Sequence, residues 1–162
     1  MDFYNLETVL ICIFTIIIYG NLIYKYINFN NKIYNIFFHS GIISYILGYL
    51  YLTLLSRVPT GIRINLNPFY FFCTLFFDRQ FLLGWLLNIL LYIPFGMFLP
   101  TLKKYYFSYK SIAVKGAFVS FFTELIQLIT HLGWFDTEDI LMNTIGAAIG
   151  FGIFRKFIIR RD

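Results

Sequence analysis

Long apolar runs alternate with short polar connections along the whole chain. Five runs, residues 6–24, 35–55, 81–99, 111–130 and 139–159, each come close to the roughly 20 residues that an α-helix needs to cross a bilayer. Residues 69–77, FYFFCTLFF, form a sixth apolar piece that is too short to span. Asn67-Pro68 ahead of it reads as an N-cap followed by proline at the first helical position, and Asp78 and Arg79 close it. The pattern therefore predicts an all-α, polytopic integral membrane protein. It has about five transmembrane helices plus a short interfacial or re-entrant helix between the second and third crossings. The expected division is an N-terminal helix with its cytoplasmic connection over 1–34 and a membrane domain over 35–159, one domain overall.

Composition supports this picture. Hydrophobic residues make up 59% of the 162 positions and charged ones only 13%, too apolar for a soluble domain of this length. A pI near 9.2 raises the question of nucleic acid, but the cations are not clustered for it, so no nucleic-acid partner is expected. They sit in the connections, and their placement reads as topology. Counted by side, ten Lys and Arg (Lys25, Lys32, Lys103, Lys104, Lys110, Lys115, Arg155, Lys156, Arg160 and Arg161) oppose three, Arg57, Arg63 and Arg79. The positive-inside rule then places the N-terminus outside and the C-terminus in the cytoplasm. Connection 57–80 and the acidic turn at 131–139 face outward. The leading charges are Asp2 and Glu7 with no small-residue cleavage site after them, so the first run is a retained helix and not a signal peptide. Cys12 lies in the first span and Cys73 in the short piece; both read as small apolar residues.

The polar residues inside the spans carry the candidate chemistry. The third run holds Asn88, then Pro94, which frees a carbonyl that neighbouring helices must satisfy. The fourth holds Glu124 and Gln127 on one face. The fifth opens on Asp136 and Asp139, continues to Asn143, and carries Gly146 and Gly150 along the same stripe. At 1.5 Å rise per residue these groups fall within roughly 10 Å of one depth in the outer half of the bilayer. Arg57 and Arg63 come from outward loops and reach for the same mouth. Each of these groups has a plain reading beside the functional one. The amides serve as glue between helices at about 1 kcal/mol each. Gly146, Ala147 and Gly150 serve as close-packing positions, and Asp136 and Asp139 as helix N-terminal acids. Glu124 is harder to dismiss, because an ionisable group within a span is by default a functional candidate.

The chemistry stays open between an acid/base pair of Glu124 with Asp136 or Asp139, and binding of a polar headgroup by the same residues with Arg57, Arg63, Asn88, Gln127 and Asn143. The carboxylates are also oxygen ligands of the kind a divalent cation takes. His131 is isolated and no zinc spacing occurs, so no metal and no cofactor is expected. Nucleophile elbow, glycine-rich phosphate loop and HExxH are all absent from the sequence. Little ionisable character lies in the inner half of the bilayer, which argues against a transport path.

The same residues resemble the VanZ-like family. The run NILLYIPFG, with Asn88, Tyr92, Pro94, Phe95 and Gly96, is similar to that family's third helix. Glu124-x-x-Gln127 is similar to its fourth-helix motif, and Phe135-Asp136-x-x-Asp139-x-x-x-Asn143-x-x-Gly146 to its closing motif. Arg57 and Asn65-Leu66-x-Pro68-Phe69 also fit, and the order agrees from about residue 40 to 155. One departure is Gly133, where many members carry arginine two residues before the Phe-Asp pair. A missing arginine removes a partner for the carboxylates, and Arg57, Arg63 or Arg79 are the candidates to replace it. The resemblance implies a small bacterial cytoplasmic-membrane protein, surrounded by membrane lipids and linked to teicoplanin-type glycopeptide resistance. Its expected partner is a lipid-linked cell-wall precursor or the glycopeptide's target. The rival readings are a membrane hydrolase or transferase and a regulatory scaffold.

Overall fold

Each of the five long apolar runs forms a helix in the computed structural model, which describes residues 6–29, 31–59, 61–69, 79–102 and 107–156. The helices are α1 (Leu6–Asn28), α2 (Lys32–Leu50), α3 (Arg79–Phe98), α4 (Tyr109–Ile129) and α5 (Thr137–Phe154). Among the described residues four are long and apolar enough to cross a membrane: α1, α2 with the π-helical turn that extends it over Tyr51–Leu55, α3 and α4. The described part of α5 carries Glu138, Asp139 and Asn143 and is largely enclosed, with Glu138, Met142, Asn143, Gly146, Ala147, Gly150, Phe151 and Phe154 all buried.

Hydropathy places some helix starts too late, and capping explains the difference. Asn31 accepts a hydrogen bond from the Ile33 N–H at 2.9 Å, so α2 begins at Lys32 and not at 35. Ser108 accepts from Ser111 N–H at 3.1 Å and starts α4. Asp136 accepts from Glu138 N–H at 2.8 Å, so α5 begins two residues before the expected Asp139. The short helix expected over 69–77, with Cys73, lies mostly outside the described residues, as does the end of the fifth run beyond 156. What is described of its approach agrees with a turn: Asn67 accepts from Phe69 N–H at 3.1 Å.

The contacts alternate helix directions. Tyr49 meets Thr123 and Gln127 meets the Thr53 carbonyl, so α2 and α4 run parallel. On the other pair, Gly146 faces Ile89 and Gly150 faces Ile93, so α3 and α5 run parallel to each other. Ser120 with Asn143, and Gly116 with Ala147, make α4 antiparallel to α5. The α3–α5 seam is backbone against backbone. A methyl group on Gly146 would run into the Ile89 carbonyl, one on Gly150 into the Ile93 carbonyl, and one on Gly96 into the Ala147 carbonyl. Close approach of this kind is how membrane helices gain packing without a hydrophobic driving force between them. One residue past the Leu90 carbonyl that Pro94 leaves without its helical donor, the Tyr45 hydroxyl of α2 donates to the Leu91 carbonyl at 3.0 Å and ties α2 to the proline step of α3. Around this seam pack Phe38, Tyr92, Met97, Phe98, Ile112 and Phe151, while Leu10, Phe14, Leu47, Val114 and Phe118 turn outward.

Candidate functional site

The C-terminal ends of α2 and α4 and the N-terminal end of α5 meet at one end of the bundle. A two-residue parallel pairing closes it, β1 (Ile64–Asn65) on β2 (Phe135–Asp136), with Asn65 opposite Asp136. The Phe135 N–H donates to the Arg63 carbonyl at 3.0 Å and extends this pairing by one rung. The sequence did not reveal it, because two residues give no periodicity to read.

Glu124 is the centre of the cluster. Its side chain is 3% exposed, and its Oε2 accepts the Asp136 backbone N–H at 3.1 Å. Asp136 sits at the junction of three elements. Its carboxylate caps α5, and both oxygens lie 3.2 Å from the Asn65 amide nitrogen. Thr137 adds a 3.3 Å bond from its hydroxyl to the Asn65 carbonyl. Asp139, in the first turn of α5, accepts from the Asn88 amide of α3 at 2.6 Å. Glu124, Asp136 and Asp139 are near enough to act on one another electrostatically, and the Arg57 guanidinium acts on both Glu124 and Asp139. Glu138, also buried, acts on Asp139 as well, so among the described residues four carboxyls gather with the Arg57 guanidinium at this end of the bundle.

The other expected site residues divide. Arg63 turns away onto Trp134, with its guanidinium 4.5 Å from the ring centroid. The side chain of Arg79 lies outside the described residues. Gln127 is buried and donates to the Thr53 carbonyl at 2.8 Å, across from the π-helical turn that ends α2. Asn143 lies deeper, donating to Ser120 at 2.8 Å, with its own carbonyl oxygen buried and, among the described residues, without a hydrogen-bond donor. Tyr49 shares bonds with both Tyr92 (2.7 Å) and Thr123 (2.6 Å), which adds a second polar level below Glu124. Asn65, Thr53, Ser120 and Tyr49 were not among the expected site residues. Of these, Asn65 had a signal in its place in the Asn-Leu-x-Pro-Phe motif, and Ser120 in its place one turn before Glu124. Among the described residues no group of three or more His, Cys, Asp or Glu side chains is arranged to hold a metal ion. His131 ends α4 instead, in a left-handed conformation (φ 57°) at the position glycine usually takes. The Leu132 N–H then reaches back to the Gln127 carbonyl at 2.9 Å.

These carboxylates, the asparagine of α3 and the Asn65 loop are the residues that carried the family resemblance, and here they meet in space. The profile of the VanZ/LLP1 family matches residues 8–160, nearly the whole chain. The chain belongs to the VanZ/LLP1 family. Searches of curated proteins and of solved structures each returned no match. The match takes in α1 as well as the motif-bearing helices, and it makes the chain a VanZ-like membrane protein.

Gly133 stands where the resemblance leads one to expect arginine. It is buried, and a Cβ there would lie 3.2 Å from Gln127 Oε1 and 3.3 Å from its Cβ. Gln127 is held by its bond to Thr53, so it yields only at the expense of that bond. Gly133→Ala is expected to cost about 1 kcal/mol. Gln127→Ala removes the contact with Oε1 and leaves the one with Cβ, so in that background the same change should cost less, and the cycle should show coupling of about 0.5 kcal/mol. Thermal unfolding of the four detergent-solubilised proteins checks this; additive shifts would show that the two side chains do not meet.

Proposed function

We propose that this VanZ-like protein lies in a bacterial cytoplasmic membrane with its carboxylate cluster at the outer face. There it engages a lipid-linked cell-envelope component and lowers susceptibility to teicoplanin-type glycopeptides. The observation that carries the reading is the convergence of Glu124, Asp136 and Asp139 with Arg57 at one bundle end. That end belongs to the connections poor in lysine and arginine, which the positive-inside rule assigns to the outside. In this reading Arg57 attracts phosphate, and Glu124 and Asp136 orient a polar headgroup by hydrogen bonds. The second reading is a membrane-embedded hydrolase or transferase with Glu124 as general base. It is favoured by the burial of Glu124 beside a second carboxyl, Asp139.

The test is teicoplanin susceptibility of a sensitive Gram-positive host expressing wild type, Glu124→Gln or Asp136→Asn at matched membrane levels. Wild type should raise the inhibitory concentration, and both variants should lose that protection while remaining folded. A graded loss favours headgroup binding, and complete loss at Glu124→Gln alone favours turnover. Variants that protect as well as wild type would overturn both readings in favour of a regulatory scaffold. Wild type without any effect would sink the resistance role itself. Reporter fusions at the two termini test the orientation: a C-terminal fusion active outside the cell contradicts it.

A further inference from the structure

We infer that the opposite end of the bundle holds a specific site for an anionic phospholipid, in a groove between α3 and α4 with Lys115 as its phosphate ligand. The groove encloses about 430 Å³ and is lined by Phe95, Leu99, Val114, Lys115, Phe118 and Val119. It exists because α3 and α4 each pack mainly on α5. The glycine seam draws α3 onto α5, and Gly116 with Ala147 draws α4 onto α5, so α3 and α4 splay apart on the far side. Its wall is apolar except for Lys115, and Val114 and Phe118 open to the exterior of helices long enough to span a membrane. An acyl chain is the occupant that such a wall admits.

Lys115 makes the site selective. Its Cα sits six residues into α4, about 9 Å from the helix start at 1.5 Å per residue. Its ammonium reaches back along the helix, donating to Ser111 Oγ at 3.0 Å and lying 5.6 Å from the Phe107 ring centroid. This is snorkelling: the stem lines the groove while the charge rises toward the helix end, where headgroups lie. An ammonium has three N–H donors and Ser111 takes one, which leaves two for phosphate oxygens. Lys110 and Arg155 stand at the same end; Arg155 is exposed, with its guanidinium 5.6 Å from the Tyr109 ring centroid. The positive charge at the groove's upper end complements an anionic headgroup and gives a zwitterionic one no equal advantage. This site is separate from the carboxylate cluster and stands whether or not the proposed resistance role does.

The test is native mass spectrometry of the purified protein titrated with phosphatidylglycerol or phosphatidylcholine. One tightly held phosphatidylglycerol is expected, bound more strongly than phosphatidylcholine. Lys115→Ala should weaken it about fivefold, the value of one basic residue at a charged surface, and Lys115→Arg should restore it. Val114→Trp, which fills the groove and leaves the charge, should also displace the lipid. Lys110→Ala should have less effect than Lys115→Ala. Equal affinity for the two lipids, or equal losses at Lys110 and Lys115, would reduce the groove to ordinary lipid-facing surface and overturn the proposal. So would unchanged binding in Val114→Trp.

Discussion

Gly150→Ala is expected to destabilise the protein by about 3 kcal/mol, at the upper end for an overpacked core. Helix propensity alone predicts the opposite sign, since alanine is favoured over glycine by about 1 kcal/mol in a helix interior. The clash outweighs it. The new methyl meets the Ile93 carbonyl oxygen head-on, with the carbonyl carbon at 2.9 Å and the Gly96 Cα at 3.1 Å. All three are backbone atoms of α3, so no rotamer change relieves the contact, and α3 and α5 must move apart. Separation would also loosen the bond from Asn88 to Asp139 that ties the two helices at the carboxylate end. Gly48→Ala in α2 is the control, because a methyl there meets nothing within 4 Å. It should raise the melting temperature while Gly150→Ala lowers it. The two melting curves in the same detergent decide the matter, and a rise at both positions would rule out the backbone seam.

The second large effect is expected at Asp136, where one side chain holds a helix and a loop together. Asp136→Ala removes the cap of α5, worth about 1 kcal/mol, and the acceptors of the Asn65 amide, worth about 1.5 kcal/mol for a hydrogen bond to a charged group. The two losses fall on different elements, so the total should approach 2–3 kcal/mol. The Asp136 N–H to Glu124 is a backbone bond, so the substitution leaves its donor in place. Asp136→Asn keeps an oxygen for the Glu138 N–H, and asparagine caps a helix about as well as aspartate. It loses only part of the hold on Asn65. Stability should therefore fall in the order wild type, Asn, Ala. Freed from its anchor, the loop around the exposed Arg63 should be cut faster by trypsin in Asp136→Ala. Cleavage at the wild-type rate would mean that the pairing of β1 with β2 does not depend on this side chain.

Much of the fold was legible because its signal is one-dimensional. A bilayer demands runs of about 20 apolar residues, and five such runs stand plainly in the sequence. The helix starts were less legible, since the capping residues Asn31, Ser108 and Asp136 are polar and hydropathy counts them against the helix. The candidate site was legible as a set of residues near one depth, because counting from the helix ends brings Glu124, Asp136, Asp139 and Asn88 to within roughly 10 Å of one level. Their pairings were not. Glu124 turned out to hold the Asp136 backbone and not its carboxylate, and Arg63 went to Trp134. Asn65, in a loop with no periodicity, became the partner of Asp136.

The sequence by itself determined the all-α membrane class, the family, the glycine stripe and the bundle end on which the acidic residues gather. These follow from composition and spacing along a single chain. Only the tertiary structure decided that α3 and α5 touch through their backbones, that α3 and α4 splay into a groove, and that Arg57 comes near enough to act on Glu124 and Asp139. Those outcomes depend on which helix faces meet, and facing is set by side-chain volumes and hydrogen-bond partners far apart in the chain.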